Sequence, residues 1–304
     1  MKNKTAIVVG GTRGIGLGFV KKYLELGYKV IATHRGSSDL TELQTIQQQV
    51  GENLILSELD LVHPGQIQTF ISNLAEEKID LLILSAGTTG NDDVRLLEAM
   101  PLNPETFWSE YDLSHKVHVT GPMQLILGLG DKLQHENACT VYLTSPHGLG
   151  SKVVGVDAYA MTKAAGQIMI YHRCKEMLKN WTDKFSNNPE KLAQAPGAVS
   201  IYPGWVRTGM GGQNARLTVD ESVSKMVAVI DKITVDKRFN TVYSYDGKSM
   251  NPGAYVPSLE MNKVMAAAEN LQVKMPASLN FSIFSLKEKP EIQQESDSLN
   301  LLQS

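Results

Sequence analysis

Tyr159 and Lys163 stand four residues apart in the run Ala158-Tyr159-Ala160-Met161-Thr162-Lys163. On a helix that spacing puts both side chains on one face. A phenol ordinarily titrates near ~10. A neighbouring cation favours phenolate and lowers that value, which makes the phenol an acid or base at neutral pH. The spacing also arises by chance, and the plain alternative is a surface tyrosine lying on a lysine stem. Its weight therefore depends on the residues around it.

A second constellation lies near the start of the chain. Val8-Val9-Gly10-Gly11-Thr12-Arg13-Gly14-Ile15-Gly16 follows an apolar run and precedes a helical pattern. Glycines at 10, 14 and 16 permit a tight turn and close backbone approach, and the helix N-terminus offers N–H groups to a pyrophosphate. The spacing is Gly-x-x-x-Gly-x-Gly, and an ordinary glycine turn is the alternative. The next apolar run ends in Thr33-His34-Arg35, where a diphosphate-type nicotinamide site usually places an acid for the ribose hydroxyls. Arg35 and Arg13 suit a 2′-phosphate, so NADPH is favoured over NADH; solvated arginines are the plainer reading. Asp60 is of the right type and position to hold an adenine amino group, or to cap a helix, and the two roles are compatible.

These residues need a scaffold that brings strand ends together. Short β-branched runs fall at Thr5–Val9, Lys29–Thr33, Leu54–Leu59, Leu81–Leu84, Thr140–Thr144, Ala198–Tyr202 and Thr241–Ser244. Amphipathic segments such as Gly16–Leu26, Pro64–Glu77 and Ala158–Lys179 alternate with them. Near-continuous apolar strands alternating with helices predict a single doubly wound parallel α/β sheet, a Rossmann fold with helices on both faces. The expected domain spans residues 1–260, site included, with a partly disordered C-terminal extension over 261–304 whose end, Lys287–Ser304, is polar and reads as a loosely ordered tail. Trp181–Pro196 is polar and interrupted and is expected to be a long connection.

Composition narrows the function classes. The chain has 304 residues, is 42% apolar and 20% charged, and carries a formal net charge of -3, which argues against nucleic acid as a partner. No stretch is apolar enough to span a membrane, and the N-terminus lacks a signal pattern. Cys139 and Cys174 have no metal-type spacing and read as buried hydrophobes of a reducing compartment. A cytoplasmic enzyme without a metal is the expectation.

The ordered set Gly10…Gly16, Asp60, Ser85-Ala86-Gly87, Ser145, Tyr159, Lys163 and Pro203-Gly204 resembles the classical short-chain dehydrogenases/reductases over roughly residues 5–255. The run Tyr202-Pro203-Gly204-Trp205-Val206-Arg207-Thr208-Gly209-Met210-Gly211-Gly212 is similar to the C-factor/sniffer-like carbonyl reductase branch, which leans toward NADPH. The resemblance implies that Ser145 hydrogen-bonds the substrate oxygen and Tyr159 exchanges a proton with it. Lys163 would lower the tyrosine's pKa and hold the nicotinamide ribose. It implies a cofactor site of Gly10, Thr12, Arg13, Gly14, Ile15, Gly16, Arg35, Asp60, Leu61, Ser85, Ala86, Gly87, Tyr159, Lys163, Pro203, Gly204, Val206 and Thr208. Thr208 would meet the carboxamide. A dimer or tetramer formed through the helices carrying His118 and Tyr159 is the family expectation.

The chain also departs from the family. Val117-His118-Val119-Thr120-Gly121-Pro122 matches Asn-x-x-Gly, with His118 where the family's Asn holds a proton-relaying water. A histidine there relays protons, holds a water, or fills space. His147 is a substrate contact or a solvated loop residue. Gly209–Leu217 is a short glycine-rich lid, which implies an open site for a small or broadly accepted carbonyl. Met161 and Met169 read as packing residues. The combined expectation is an NADPH-dependent reductase of ketones or aldehydes. Two alternatives stay open: a cofactor-bound signalling or scaffold protein with impaired catalysis, and an alcohol dehydrogenase working in the oxidising direction.

Overall fold

β-branched and aliphatic runs that have no polar face must be covered on both sides, and a parallel sheet sandwiched between helices does this. The computed structural model describes residues 4–89, 104–149, 157–232 and 242–250. Its sheet contains β1 (Thr5–Val9), β2 (Lys29–His34), β3 (Leu54–Glu58), β4 (Leu81–Leu84), β5 (Cys139–Leu143), β6 (Gly197–Tyr202) and β7 (Val242–Ser244). The spatial order is β3-β2-β1-β4-β5-β6-β7, and every pairing is parallel. The order reverses between β1 and β4, so a crevice opens there beyond the C-terminal strand ends. Thr5 and Asp80 lock the opposite end, where Thr5 N donates to Asp80 Oδ2 at 2.8 Å and Asp80 N to Thr5 O at 3.0 Å.

The period-2 alternation of side chains builds two cores from one sheet. Ile7, Val9, Leu82 and Leu84 pack on one face with Phe70 of α3 (Pro64–Ser72), Leu125 of α5 (Gly121–Leu129) and Leu178 of α6 (Asp157–Lys184). Ala6, Val8, Leu81 and Ile83 pack on the other with Phe19 of α1 (Gly14–Glu25), Leu43 of α2 (Thr41–Val50) and Met226 of α8 (Val219–Lys232). Two further helices are α4 (Pro104–His115) and the short α7 (Pro189–Leu192); a π turn at Lys116–Thr120 joins α4 to α5. Cys139 and Cys174 are buried free thiols.

The strands lie within a residue of their expected bounds, and Thr241 lies outside the described residues. The helix expected over Pro64–Glu77 stops at Ser72, and the one over Ala158–Lys179 continues to Lys184. Trp181–Pro196 is therefore not a surface connection in its first half. Trp181 and Thr182 are buried, Trp181 packs on Phe185 at 4.5 Å between centroids, and its Nε1 donates to Lys191 O at 2.7 Å. Leu192 and Ala195 complete this patch. One face of a polar-looking segment is apolar enough to join the core. Met169 is buried as expected, whereas Met161 is half exposed. The extension over 261–304 lies outside the described residues.

Trp181→Ala should cost about 3–5 kcal/mol, the range for truncating a buried aromatic. Urea unfolding checks this; a loss below about 0.5 kcal/mol, the surface-substitution range, would return the segment to the surface.

Candidate active site

The glycine turn after β1 is a cradle that side chains would fill. Gly10 (φ 80°) and Gly14 (φ 56°) hold left-handed backbone, open to glycine at little steric cost. A Cβ on Gly16 would sit 2.0 Å from Gly10 O, and one on Gly10 would sit 3.0 Å from Ala86 Cα. The turn is pinned by Thr33, which is buried at the end of β2: Gly10 N donates to Thr33 Oγ1 at 3.1 Å and Gly11 N to Thr33 O at 2.9 Å. Ser85 N donates to Val9 O at 3.1 Å, which keeps Ser85-Ala86-Gly87 against the same turn. Ile15 packs partly buried on the helix side, Thr12 is half-buried and Arg13 is exposed as the residue before α1. This cradle fits the pyrophosphate of a dinucleotide, with α1 pointing its N-terminus at it.

Arg35 is exposed at the end of β2, and neither Arg35 nor Arg13 forms an ion pair with another described residue. Leu59 N donates to His34 O at 2.8 Å, so the β3 end carrying Asp60 lies alongside. Asp60 is not a helix cap: the residue before α3 is His63, which makes no side-chain cap. Asp60 Oδ1 instead accepts from Val62 N at 3.1 Å, closing a local turn. Leu61 is buried beneath the start of α5, so what it can offer a ligand is backbone.

Tyr159 and Lys163 share a face of α6, as the spacing requires, and meet Ser145 just beyond β5. Lys163 is 4% exposed; its Nζ donates to Leu143 O at 2.8 Å and lies 5.0 Å from the Tyr142 ring centroid and 5.7 Å from that of Tyr159. Among the described residues no second acceptor meets this ammonium, so N–H groups remain for a hydroxylated ligand such as a ribose. Burial brings its pKa down to about 7. The phenol departs from expectation: burial pushes Tyr159 up to about 12, a hydrogen bond with Ser145 opposes this, and the lysine does not reverse it. Near neutral pH the lysine is only partly charged and Tyr159 holds its proton.

His118 is fully buried in the π turn, with its pKa held well below the ordinary range by burial and then by Lys163. Thr88 N donates to its Nε2 at 3.1 Å, and its Nδ1 lies 2.9 Å from Thr162 Oγ1, which itself donates to Tyr159 O at 3.1 Å. Thr162 and Thr88 are among the residues that sequence alone did not single out; Thr88 acts through its backbone, which has no signature. The rings of His118 and His147 meet Tyr159 edge-on at 5.5 and 6.0 Å. His147 is half-buried, and its N–H donates to Ser145 Oγ at 3.3 Å.

The stretch after β6 is tied back on itself beside this group. Trp205 Nε1 donates to Gly211 O at 2.7 Å, and Arg207 N to Leu217 O at 2.8 Å. Gly211 N donates to Thr208 Oγ1 at 3.0 Å. A Cβ on Gly14 would sit 3.2 Å from Thr208 Cγ2, and one on Gly87 would sit 3.5 Å from His118 Nε2 and 3.8 Å from Lys163 Nζ and Met210 Cε. Thr208 and Met210 thus bridge the glycine cradle and the Tyr159 group. Pro203 O accepts from Ser222 Oγ at 2.6 Å, and Gly204 lies beside Leu217 and Tyr245. Val206 is buried and presents only backbone. Among the described residues no cluster of acidic, histidine and cysteine groups could hold a metal ion, and no helix is long and apolar enough to cross a membrane.

A nucleotide cradle at the sheet reversal with a tyrosine–lysine pair on the flanking helix defines an oxidoreductase, and relatives agree. The short chain dehydrogenase family profile matches residues 4–181, and the chain belongs to that family. An uncharacterized oxidoreductase of Schizosaccharomyces pombe is 26% identical over 268 residues, covering 81% of this chain and 96% of that protein. A short-chain dehydrogenase/reductase structure from Burkholderia multivorans with bound NADP has a TM-score of 0.64 at 25% identity, covering 82% of this chain and 99% of that one. Carbonyl reductase Sniffer of D. melanogaster shares the fold at TM-score 0.66 and 21% identity, covering 83% of this chain and 100% of that one.

The lysine carries a testable sign. Its folded pKa of about 7 lies below its unfolded value, so between the two the unfolded chain binds more protons and stability rises with pH. The penalty is fully present below about 7 and disappears above the ordinary lysine range. Lys163→Met removes the titration, so its stability relative to wild type should be highest near pH ~6 and fall by pH ~9.5. Urea unfolding at both pH values measures the gap, and a pH-independent gap would contradict a buried, depressed lysine.

Proposed function

We propose that the protein is an NADPH-dependent carbonyl reductase that converts a ketone or aldehyde to an alcohol. The observation that carries this is geometric: a buried phenol hydrogen-bonded with Ser145 and set on one helix face with the buried Lys163, whose Nζ donates to Leu143 O at 2.8 Å. The nicotinamide cofactor supplies the hydride when bound. Ser145 and Tyr159 aim hydroxyl donors at the carbonyl oxygen and stabilise the charge that gathers there. The Tyr159 phenol gives its proton to that oxygen. Lys163, drawn toward its charged form by the phenolate, offsets the new charge and hydrogen-bonds the ribose.

Gly10, Thr12, Arg13, Gly14, Ile15 and Gly16 hold the pyrophosphate, and Arg35 with Arg13 the 2′-phosphate. Asp60 and Leu61 border the adenine. Ser85, Ala86 and Gly87 line the middle of the cofactor, and Pro203, Gly204, Val206 and Thr208 its nicotinamide end. Two things favour NADPH: Arg35 at the β2 end with Arg13 in the glycine turn, and a relative crystallised with NADP. Cells keep that cofactor reduced, which favours the reductive direction.

The proposal extends to self-association. Trp108 on α4, Leu127 on α5, and Met161 and Ile168 on α6 are each at least half exposed, a density of apolar surface that a second copy of the chain would cover. Light scattering after gel filtration should give a dimer or tetramer, and a monomer at micromolar concentration would refute this part.

Fluorescence titration with NADPH and NADH, followed by NADPH oxidation against a carbonyl panel, tests the main proposal. Tyr159→Phe should bind NADPH and lose about 10²–10⁴ in turnover, the scale of general acid catalysis. Equal turnover in wild type and variant would sink the assignment. Arg35→Asp should weaken NADPH by about tenfold or more, the worth of a charge-assisted hydrogen bond, and spare NADH.

A further inference from the structure

We infer that His118 is a positioning residue that clamps the loop after β4 to α6, and that it does not carry the proton of the reaction. The assignment rests on the carbonyl reductase proposal for its kinetics and on hydrogen-bond geometry for its substance.

The donors and acceptors can be counted. Thr88 N is a backbone amide and only donates, so His118 Nε2 must accept at 3.1 Å. Thr162 Oγ1 spends its hydrogen on Tyr159 O at 3.1 Å. The 2.9 Å contact from His118 Nδ1 to Thr162 Oγ1 is then an Nδ1–H donation. One neutral tautomer satisfies every member, and the chain runs in one direction: Thr88 N–H, His118, Thr162, Tyr159 carbonyl. Both ring nitrogens are used, within a fully buried side chain. Accepting a proton at Nε2 would set two N–H groups against each other, an orphaned-donor penalty of the kind that buried sites resist.

What the clamp joins is the site itself. One end is the backbone next to Gly87, whose Cβ position would lie 3.8 Å from Lys163 Nζ. The other is the α6 turn that carries Tyr159 and Lys163 and bonds Tyr159's own carbonyl. The His118 ring also abuts the Tyr159 ring edge-on at 5.5 Å. Losing the clamp frees the phenol to shift relative to the strand-end loop, and a displacement of about 1 Å costs about 10²-fold in rate.

Two variants separate clamp from carrier. An amide offers one acceptor and one donor like the neutral imidazole, but it does not titrate. As a positioning residue, His118→Gln should keep turnover within about tenfold of wild type while His118→Leu loses about 10²-fold. Both should leave KM for NADPH and the pH profile of kcat in place. If His118 carries the proton, Gln falls as far as Leu and a limb of the kcat profile vanishes, which overturns the proposal. Nitrogen-15 NMR of the histidine rings in the cofactor-free chain reads the tautomer without any activity. A fixed Nδ1–H form from pH ~5.5 to ~8 supports the clamp, and titration in that window or an Nε2–H form overturns it. Should the wild type reduce no carbonyl while the Nδ1–H form persists, the carbonyl reductase proposal fails and the clamp stands. Thr162→Val, which removes the middle acceptor, should shift the His118 Nδ1 resonance; an unchanged resonance also overturns it.

Discussion

A buried ammonium sets the terms for the rest of this molecule. Lys163 donates to the Leu143 carbonyl at 2.8 Å, at the C-terminal end of β5, and faces the Tyr142 ring. An ammonium held that deep needs a fixed acceptor and a polarisable wall; here a strand end supplies the carbonyl and a strand side chain the wall. The demand fixes how far along β5 the helix α6 can lie, and so fixes Tyr159 one turn earlier. Close approach is permitted by Gly166, where a Cβ would sit 2.1 Å from Tyr142 Oη and 2.9 Å from His118 O. The lysine, the tyrosine and the π turn are therefore one packing solution.

The sequence carried the scaffold well, because its signals are local. Val8, Val9, Ile31 and Ile83 sit in uninterrupted apolar runs, and burial on both faces of a parallel sheet leaves that pattern. The glycine turn and the Tyr159–Lys163 spacing are short-range features of the same kind. What escaped was set by partners distant in the chain. Thr88 meets His118 through a backbone amide, Thr33 holds the glycine turn from another strand, and Met210 reaches Gly87 from beyond β6. Trp181 falls in a segment that reads as a long connection because its neighbours are polar, although the side chain itself is buried. The phenol's pKa differs from the expectation for a related reason: spacing reveals a cation nearby and does not reveal desolvation, the largest influence on Tyr159.

Electrostatics and packing pull in opposite directions at this site. Burial raises Tyr159 and lowers Lys163, so for each group burial favours the neutral form. Such a pair resists separation of charge until a ligand brings its own charge and hydroxyls into the site. The stretch tied by Trp205–Gly211 and Arg207–Leu217 lies beside the same groups, with Met210 Cε 3.8 Å from a Cβ placed on Gly87.

The π turn at Lys116–Thr120 has one more meaning. A π turn is an α-helix with a single extra residue accommodated in its ladder. Upstream of it lies α4, and downstream α5 packs on the core through Leu125 and Leu129. Removing one residue would restore regular winding and turn everything on the α4 side by about 100°, the angle between successive residues of an α-helix. Another side of α4 would meet α6, and His118 would turn with it where the residue lost is Val119 or Thr120. The insertion is thus a counting device: the reading frame of a helix face, shifted by one, decides whether a polar ring or an aliphatic side chain stands behind the tyrosine.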